Sequence, residues 1–296
     1  MRVAILMATY NGGHWLCQQM NSLLAQKDVS LQLIVGDDLS DDNTMDIIKS
    51  YSKLLPLIIL PSTQRSGSAA ANFFRILSFV EFEKFDYVFF CDQDDYWFPD
   101  KVISGIDSMI ISGADCYASN LTCLYENGKK KLLRKNFPIT ENDFLFQGAS
   151  AGCTYGLSVA AAQVVRDCLS QNSLTDFKDV SHDWIIYAIT RSRGFKWFID
   201  NRSYIHYRQH SSNAWGALGY KSYMKRWKLL RNGWYRRQIL FVASLCSLNE
   251  RQANIVAKVK NMRFRDKFYL LYKSHTFRRS RAEKALIFML IFFGLF

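Results

Sequence analysis

The chain has 296 residues, 49% of them hydrophobic, and a formal net charge of +12. That length and apolar content exclude a disordered chain and predict one large domain, or one domain with an appendage. The charge is uneven: residues 216–296 hold 18 Lys/Arg against Glu250, Asp266 and Glu283, whereas the first 215 hold 20 Lys/Arg and 23 Asp/Glu, so a mildly acidic body precedes a cationic extension.

Residues 2–7 read as a short strand. It breaks at Tyr10-Asn11-Gly12-Gly13, too early for the apolar core of a secretory signal. Residues 15–26 have helical spacing in Leu16, Met20, Leu23 and Leu24. A second strand over 31–35 ends in Asp37-Asp38-Leu39-Ser40-Asp41-Asp42, with Ser40 the expected N-cap of a helix to residue 51. A third strand is expected over 57–60 and a helix over 67–82. Residues 87–90, Tyr-Val-Phe-Phe, read as a buried strand that runs into Asp92-Gln93-Asp94-Asp95. Strands alternating with helices of this length predict an α/β fold, a mostly parallel, doubly wound sheet with helices on both faces. Beyond Pro99 the pattern predicts a helix to residue 112, a strand over 115–125 and a hairpin turn at Asn127-Gly128. A small-residue loop over 147–154, a helix over 158–169, a helix from Asp183, and two short strands over 196–199 and 204–207 follow. The seven cysteines are scattered, with no Cys-x-x-Cys pair, which argues against a zinc site and for a reducing compartment.

Three carboxylates within four residues repel one another unless a cation screens them, and Mg²⁺ or Mn²⁺ takes such oxygen ligands. In open α/β sheets, ligands bind outside the carboxyl ends of the strands. A polar strand-to-loop turn accounts equally for any single Asp at that place. The acidic exits at Asp37-Asp38 and Asp92–Asp95 belong to neighbouring units, and the simplest strand order brings both to one rim. One could accept the imide N–H of a pyrimidine while the other carries a metal, and the Tyr10 ring could stack on a base. Arg208 and His210 suit a diphosphate. Asp183 stands apart at the start of a helix, a candidate general base; its plainer role is a cap or first-turn acid. Cys153 reads as a small buried side chain.

Six motifs occur in order. They are Ala8-Thr9-Tyr10-Asn11-Gly12, Asp37-Asp38-x-Ser40-x-Asp42-x-Thr44, Asp92-Gln93-Asp94-Asp95-x-Trp97, Gly152-Cys153-Thr154, His182-Asp183-Trp184 and Tyr207-Arg208-Gln209-His210-x-x-Asn213. Together they resemble bacterial family 2 glycosyltransferases of GT-A fold, in particular the polysaccharide and O-antigen branch with its rhamnosyltransferases. The resemblance covers about residues 1–215, expected as a GT-A domain, and leaves 216–296 as a helical extension. It implies inverting transfer of a sugar from a UDP- or dTDP-sugar to a hydroxyl of a lipid-linked oligosaccharide or polysaccharide acceptor. By position, Tyr10, Asp38 and Ala8 would receive the base, Asp92 the ribose or donor sugar, and Arg208 and His210 the diphosphate. Asp94 would ligate Mg²⁺ or Mn²⁺, and Asp183 would be the catalytic base. One departure stands out: Leu39 occupies a position where the family often has glycine.

The extension interleaves bases with aromatics over 220–237, and residues 285–296 are almost wholly apolar. As a helix, that last stretch would be ~18 Å long, short of a ~30 Å hydrocarbon core. The expectation is peripheral attachment to the anionic inner face of the cytoplasmic membrane, with packing on the body or a homo-oligomer contact as the other reading. Two other functions compete. A nucleotidyltransferase would want a glycine-rich phosphate loop, for which Gly12-Gly13 is too little. A nucleic-acid binder could use the basic extension, but leaves the acidic exits unexplained, so no nucleic-acid partner is expected.

Overall fold

The computed structural model describes residues 1–177, 180–210 and 232–295. They form two compact units. The first comprises Met1–Asn136, Ser150–Asp183 and Phe195–His210; the second comprises Phe137–Ala149, Trp184–Gly194 and the described part of Ser211–Phe296. The boundary expected at residue 215 lies outside the described residues, and the second unit also takes two stretches from within the body. The reason is aromatic packing. Phe146 stacks on Phe277 at 4.0 Å between ring centroids, and Trp184 lies 5.8 Å from Tyr235.

In the first unit nine described strands make one mixed sheet: β1 (Arg2–Thr9), β2 (Ser30–Asp37), β3 (Leu57–Leu60), β4 (Tyr87–Asp92), β5 (Tyr96–Trp97), β6 (Cys116–Tyr125), β7 (Lys130–Leu133), β8 (Gly156–Ser158) and β9 (Trp197–Gln209). Their order is β3-β2-β1-β4-β8-β6-β9-β5, with β7 on β6. The long ladders, β1 with β2 and with β4 and β6 with β9, are parallel. β1 sits between β2 and β4, which is why Val3 to Met7 are apolar throughout and wholly buried.

The helices are α1 (Gly13–Leu24), α2 (Thr44–Ser50), α3 (Ala69–Ser78), α4 (Lys101–Ser112) and α5 (Val159–Leu169). Successive strand residues face opposite sides of a sheet. Phe90 meets Phe73 of α3 at 5.7 Å, whereas Phe89 lies against Gly105 of α4, so α3 and α4 cover opposite faces. Asn72 of α3 donates to the Gly36 carbonyl at 2.7 Å and ties helix to sheet.

Two expectations are corrected. Ser40 does not cap α2, whose N-cap is Asn43; the Ser40 hydroxyl donates to Asp37 Oδ1 at 2.6 Å instead. The two short strands over 196–207 are one strand, β9, with a register shift opposite Ser119 and Asn120. Asp200 accepts from the Arg202 backbone at 2.9 Å and pairs with its guanidinium at 2.8 Å, which stabilises a bulge that reads as a turn in sequence.

The second unit is helical. α6 (His182–Ser192), which begins in the first unit, continues here, followed by α7 (Trp234–Ser244), α8 (Glu250–Asn261), α9 (Phe264–Lys273) and α10 (Arg281–Phe292). At its centre Asp143, fully buried, accepts from the Tyr187 hydroxyl at 2.8 Å and faces Arg191 at 3.6 Å and Arg279 at 3.7 Å. Most of the basic–aromatic run, residues 220–231, lies outside the described residues. No described helix is long and apolar enough to cross a membrane.

Candidate functional site

The site is built where β1, β2 and β4 end. Ala8 pairs in register with Gly36 on one side and Asp92 on the other. The next residues of all three strands therefore leave the sheet at one level, which brings Tyr10, Asp37, Asp38 and Asp92–Asp95 to one rim.

On the β2 side, Asp37 is spent on the fold. It accepts from Thr9 Oγ1 at 2.8 Å, from the Ser40 N–H at 2.8 Å and from the Ser40 hydroxyl. Asp38 is buried too. Its carboxylate takes the N–H groups of Ser66 and of Gly67, the latter at 3.0 Å, and so fixes the loop that enters α3. The two sequence motifs are laced together. Asn11, with φ +46°, accepts from the Asp41 N–H at 2.9 Å; the N–H groups of Asn11, Gly12 and Gly13 donate to Ser40, Thr44 and Asp42 at 2.9, 2.8 and 3.0 Å. That leaves Tyr10 as the exposed feature of the loop, its ring 4.9 Å from the Arg65 guanidinium. Ala8 is half-buried beneath.

On the β4 side, the acidic residues separate into different environments. Asp94 Oδ2 lies 2.8 Å from His210 Nε2. Arg208 reaches across from β9: its Nε donates to the Asp94 carbonyl at 2.9 Å, its backbone N–H to Asp95 Oδ1 at 3.2 Å, and its NH2 to Gln18 Oε1 at 2.6 Å. The guanidinium lies 4.0 Å from the centre of the Trp15 ring, over which His210 also stacks at 6.3 Å. α1 thus supplies a platform, Trp15 and Gln18, for the two diphosphate candidates.

Asp92, Asp95 and Cys153 bring ligand atoms within 4.8 Å of one another. Asp95 is fully buried and its Oδ2 meets no hydrogen-bond partner among the described residues. Burial, then the charges of Asp94 and Asp92, hold its carboxyl well above the usual range. Asp92 is pushed up to about 7, first by burial, then by Asp94 and Asp183. Mutually repelling carboxylates with an unpartnered buried oxygen fit a hard divalent cation. Cys153 does not fit one: burial drives its thiol pKa up, so it stays a neutral, small side chain. Below the cluster, Lys101 is buried with its Nζ 3.4 Å over the Trp97 ring, and burial lowers its pKa to about 8.

Asp183 lies in the first turn of α6, where its carboxylate accepts from the Ser181 hydroxyl. Its charge is felt at Asp92, so base candidate and acidic cluster share one field. Beside it, the half-buried His182 packs its ring against Phe73 at 4.3 Å, and desolvation lowers its pKa, which favours the neutral ring. Gly152 makes room for that ring: a methyl at Gly152 would collide with His182 Nε2.

All eight sequence-derived candidates are described, and all lie in the first unit. Asn213, the end of the last motif, lies outside the described residues. Sequence reasoning missed Trp15, Gln18, Arg65 and Gln93. Gln93 was visible only as the spacer of an acidic motif, and the others bear no local signal.

Residues 4–169 match the family model for glycosyl transferase family 2. The dTDP-rhamnosyl transferase RfbG of Shigella flexneri is 35% identical over 295 residues, which is 98% of this chain and 100% of that protein. The Escherichia coli UDP-Glc:alpha-D-GlcNAc-diphosphoundecaprenol beta-1,3-glucosyltransferase WfaP is 24% identical, covering 78% of this chain and 86% of its own length. Among solved structures, TarS of S. aureus in complex with UDP aligns with a TM-score of 0.62 at 17% identity, covering 90% of this chain and 72% of that one, which shows a common GT-A fold.

Proposed function

The chain belongs to glycosyl transferase family 2, and on that premise we propose that it moves a sugar, with inversion, from a nucleoside diphosphate sugar to a hydroxyl of a lipid-linked or polysaccharide acceptor. The observation that carries this reading is the register at Ala8, which aligns the exits of β1, β2 and β4 at one rim. The name of the Shigella relative favours dTDP-rhamnose as donor, and that of WfaP favours an acceptor carried on a lipid diphosphate. Family membership sets aside the nucleotidyltransferase and nucleic-acid readings.

In this reading Tyr10 and Asp38 receive the base above Ala8, and Asp92 meets the ribose or donor sugar. Arg208 and His210, held by Trp15, Gln18 and Asp94, face the diphosphate. Asp94, with His210 beside it, would hold Mg²⁺ or Mn²⁺, which when bound supplies Lewis-acid neutralisation of the leaving diphosphate. Asp183 takes the proton from the acceptor hydroxyl as that oxygen attacks the anomeric carbon. The new carbon–oxygen bond forms as the bond to the diphosphate breaks, and the nucleoside diphosphate leaves with the electron pair.

The test is a donor screen on the purified protein. dTDP-rhamnose and UDP- and GDP-sugars are each supplied with Mg²⁺ or Mn²⁺ and a lipid diphosphate–sugar acceptor. Release of dTDP and a product of opposite anomeric configuration, read by NMR, are expected. Release of inorganic diphosphate, or retained configuration, would overturn the proposal.

A further inference from the structure

The last two helices of the second unit present more exposed aromatic surface than a water-facing helix pair needs. In α9, Phe264, Phe268 and Tyr272 recur at every fourth residue and are 76%, 59% and 72% exposed. That spacing puts them in one row along the helix, and Phe264 and Phe268 touch edge to face at 5.0 Å. In α10 only Ile287, Leu290 and Ile291 are buried, whereas Leu286, Phe288, Met289, Phe292 and Phe293 are exposed. The two helices pack on each other, and a methyl on Gly294 would come within 3.2 Å of Lys267 Nζ. The C-terminal end of α10 therefore lies beside the first turns of α9, bringing Phe292 and Phe293 to the Phe264–Phe268 end.

The charges around this surface are mostly positive. Arg265, Lys267, Lys273, Arg281 and Lys284 lie along the two helices. The acids there are engaged: Asp266 pairs with Lys258 at 3.2 Å, and Glu283 accepts from Ser280 at 2.9 Å. A second copy of the chain would bring like charges together, whereas an anionic lipid surface complements them. A twelve-residue helix is about 18 Å long, too short to cross a bilayer. Its apolar residues can still enter the headgroup–acyl boundary with the helix lying flat.

We propose that α9 and α10 form a lipid-interface docking surface that binds anionic bilayers, with Phe264, Phe268, Tyr272, Phe288, Phe292 and Phe293 as the inserting side chains. The inference is independent of the transfer reaction, and its test needs no donor.

The test is co-sedimentation of the full-length protein with vesicles of phosphatidylcholine alone or of equal parts phosphatidylcholine and phosphatidylglycerol. Wild type should partition onto the anionic vesicles. The pair Phe264→Ser and Phe268→Ser, or the pair Phe288→Ser and Phe292→Ser, should weaken partition by ~10-fold or more, since each removes two inserting rings. The pair Arg265→Glu and Arg281→Glu should abolish the preference for anionic over neutral vesicles. Both acids would sit in first turns, where the helix dipole favours them, so this variant keeps its fold and decides the matter if the serine variants unfold. Wild-type partition by folded serine variants or by the glutamate variant overturns the proposal. So does a dimer in light scattering that the serine pairs dissolve, with no wild-type binding to vesicles.

Discussion

Gln93 grips Tyr10 with both ends of its amide. The Tyr10 N–H donates to Gln93 Oε1 at 2.9 Å, and Gln93 Nε2 donates to the Tyr10 carbonyl at 2.9 Å. The side chain thus acts as a short extra rung between the loop after β1 and the loop after β4. Gly12 leaves space for it, because a methyl there would overlap the Gln93 amide. One amide therefore sets where the exposed Tyr10 ring stands relative to the acidic cluster.

Gln93→Ala should release Tyr10 without touching a carboxylate. Two neutral hydrogen bonds near the surface are worth about 0.5–1.5 kcal/mol each, so donor KM should rise by ~5-fold and at most ~150-fold while kcat changes less. Gln93→Glu should be no better, since it loses the donated bond and adds a charge to the cluster. Steady-state kinetics with varied donor reads both; a kcat loss at unchanged KM would contradict the positioning role.

Leu39 adopts φ +59°, the left-handed region that a β-carbon disfavours. Its side chain is partly exposed and gains little from packing. Leu39→Gly removes a cost of about 1–2 kcal/mol and adds about 0.5–1 kcal/mol of chain entropy to the unfolded state. Thermal unfolding should show a midpoint raised by ~1–4 °C. A lower midpoint would mean that Leu39 packs more than its exposure implies.

The parts of this protein that were legible in sequence are those with local cause. The strand exits, Asp183 at a helix start and the Asn127-Gly128 hairpin each declare themselves within a few residues. The platform under Arg208 did not, because Gln18 and Arg208 meet across 190 positions. Ser40 misled for a related reason: a hydroxyl before a helix reads as a cap, but its oxygen accepts from the Asn11 N–H, 29 positions away, while its proton goes to Asp37. The second unit's claim on 137–149 and 184–194 rests on ring-to-ring packing such as Phe146 with Phe277, which no periodicity records.

Asp92 gives the stability a definite pH dependence. Burial and the charges of Asp94 and Asp183 raise its carboxyl to about 7, against ~4 in an unfolded chain. The folded state therefore binds the proton more tightly. The Asp92 contribution to stability is fully present below ~4, is lost progressively as pH rises to about 7, and is flat above that. Urea midpoints in EDTA should fall across this window in wild type, and Asp92→Asn should flatten the fall. Adding Mg²⁺ or Mn²⁺ should lift the wild-type midpoint above pH 7 more than that of the variant. Equal slopes for both proteins would remove Asp92 as the cause.

Gly152→Ala tests the His182 packing. The added methyl collides with His182 Nε2, and the ring is enclosed by Phe73 and Phe90. Overpacking of this kind costs about 1–3 kcal/mol. Denaturant unfolding should show that loss. Because His182 immediately precedes Asp183, transfer activity should fall further than stability alone accounts for. Pairing Gly152→Ala with His182→Ala, which vacates the space, should restore most of the stability, and failure to do so would place the strain elsewhere.

Asp183→Asn separates the base from the scaffold. Asparagine keeps an oxygen that can accept from Ser181, so the first turn of α6 should hold and the unfolding midpoint should stay near wild type. The proton acceptor is lost, and kcat should fall by about 10²–10⁴. Donor KM should change little if Asp183 acts on the acceptor hydroxyl as proposed. A folded Asp183→Asn protein that transfers sugar at the wild-type rate would falsify the assignment. A variant with normal kcat but weakened donor binding would instead move Asp183 to the donor side, next to Asp92, which already feels its charge.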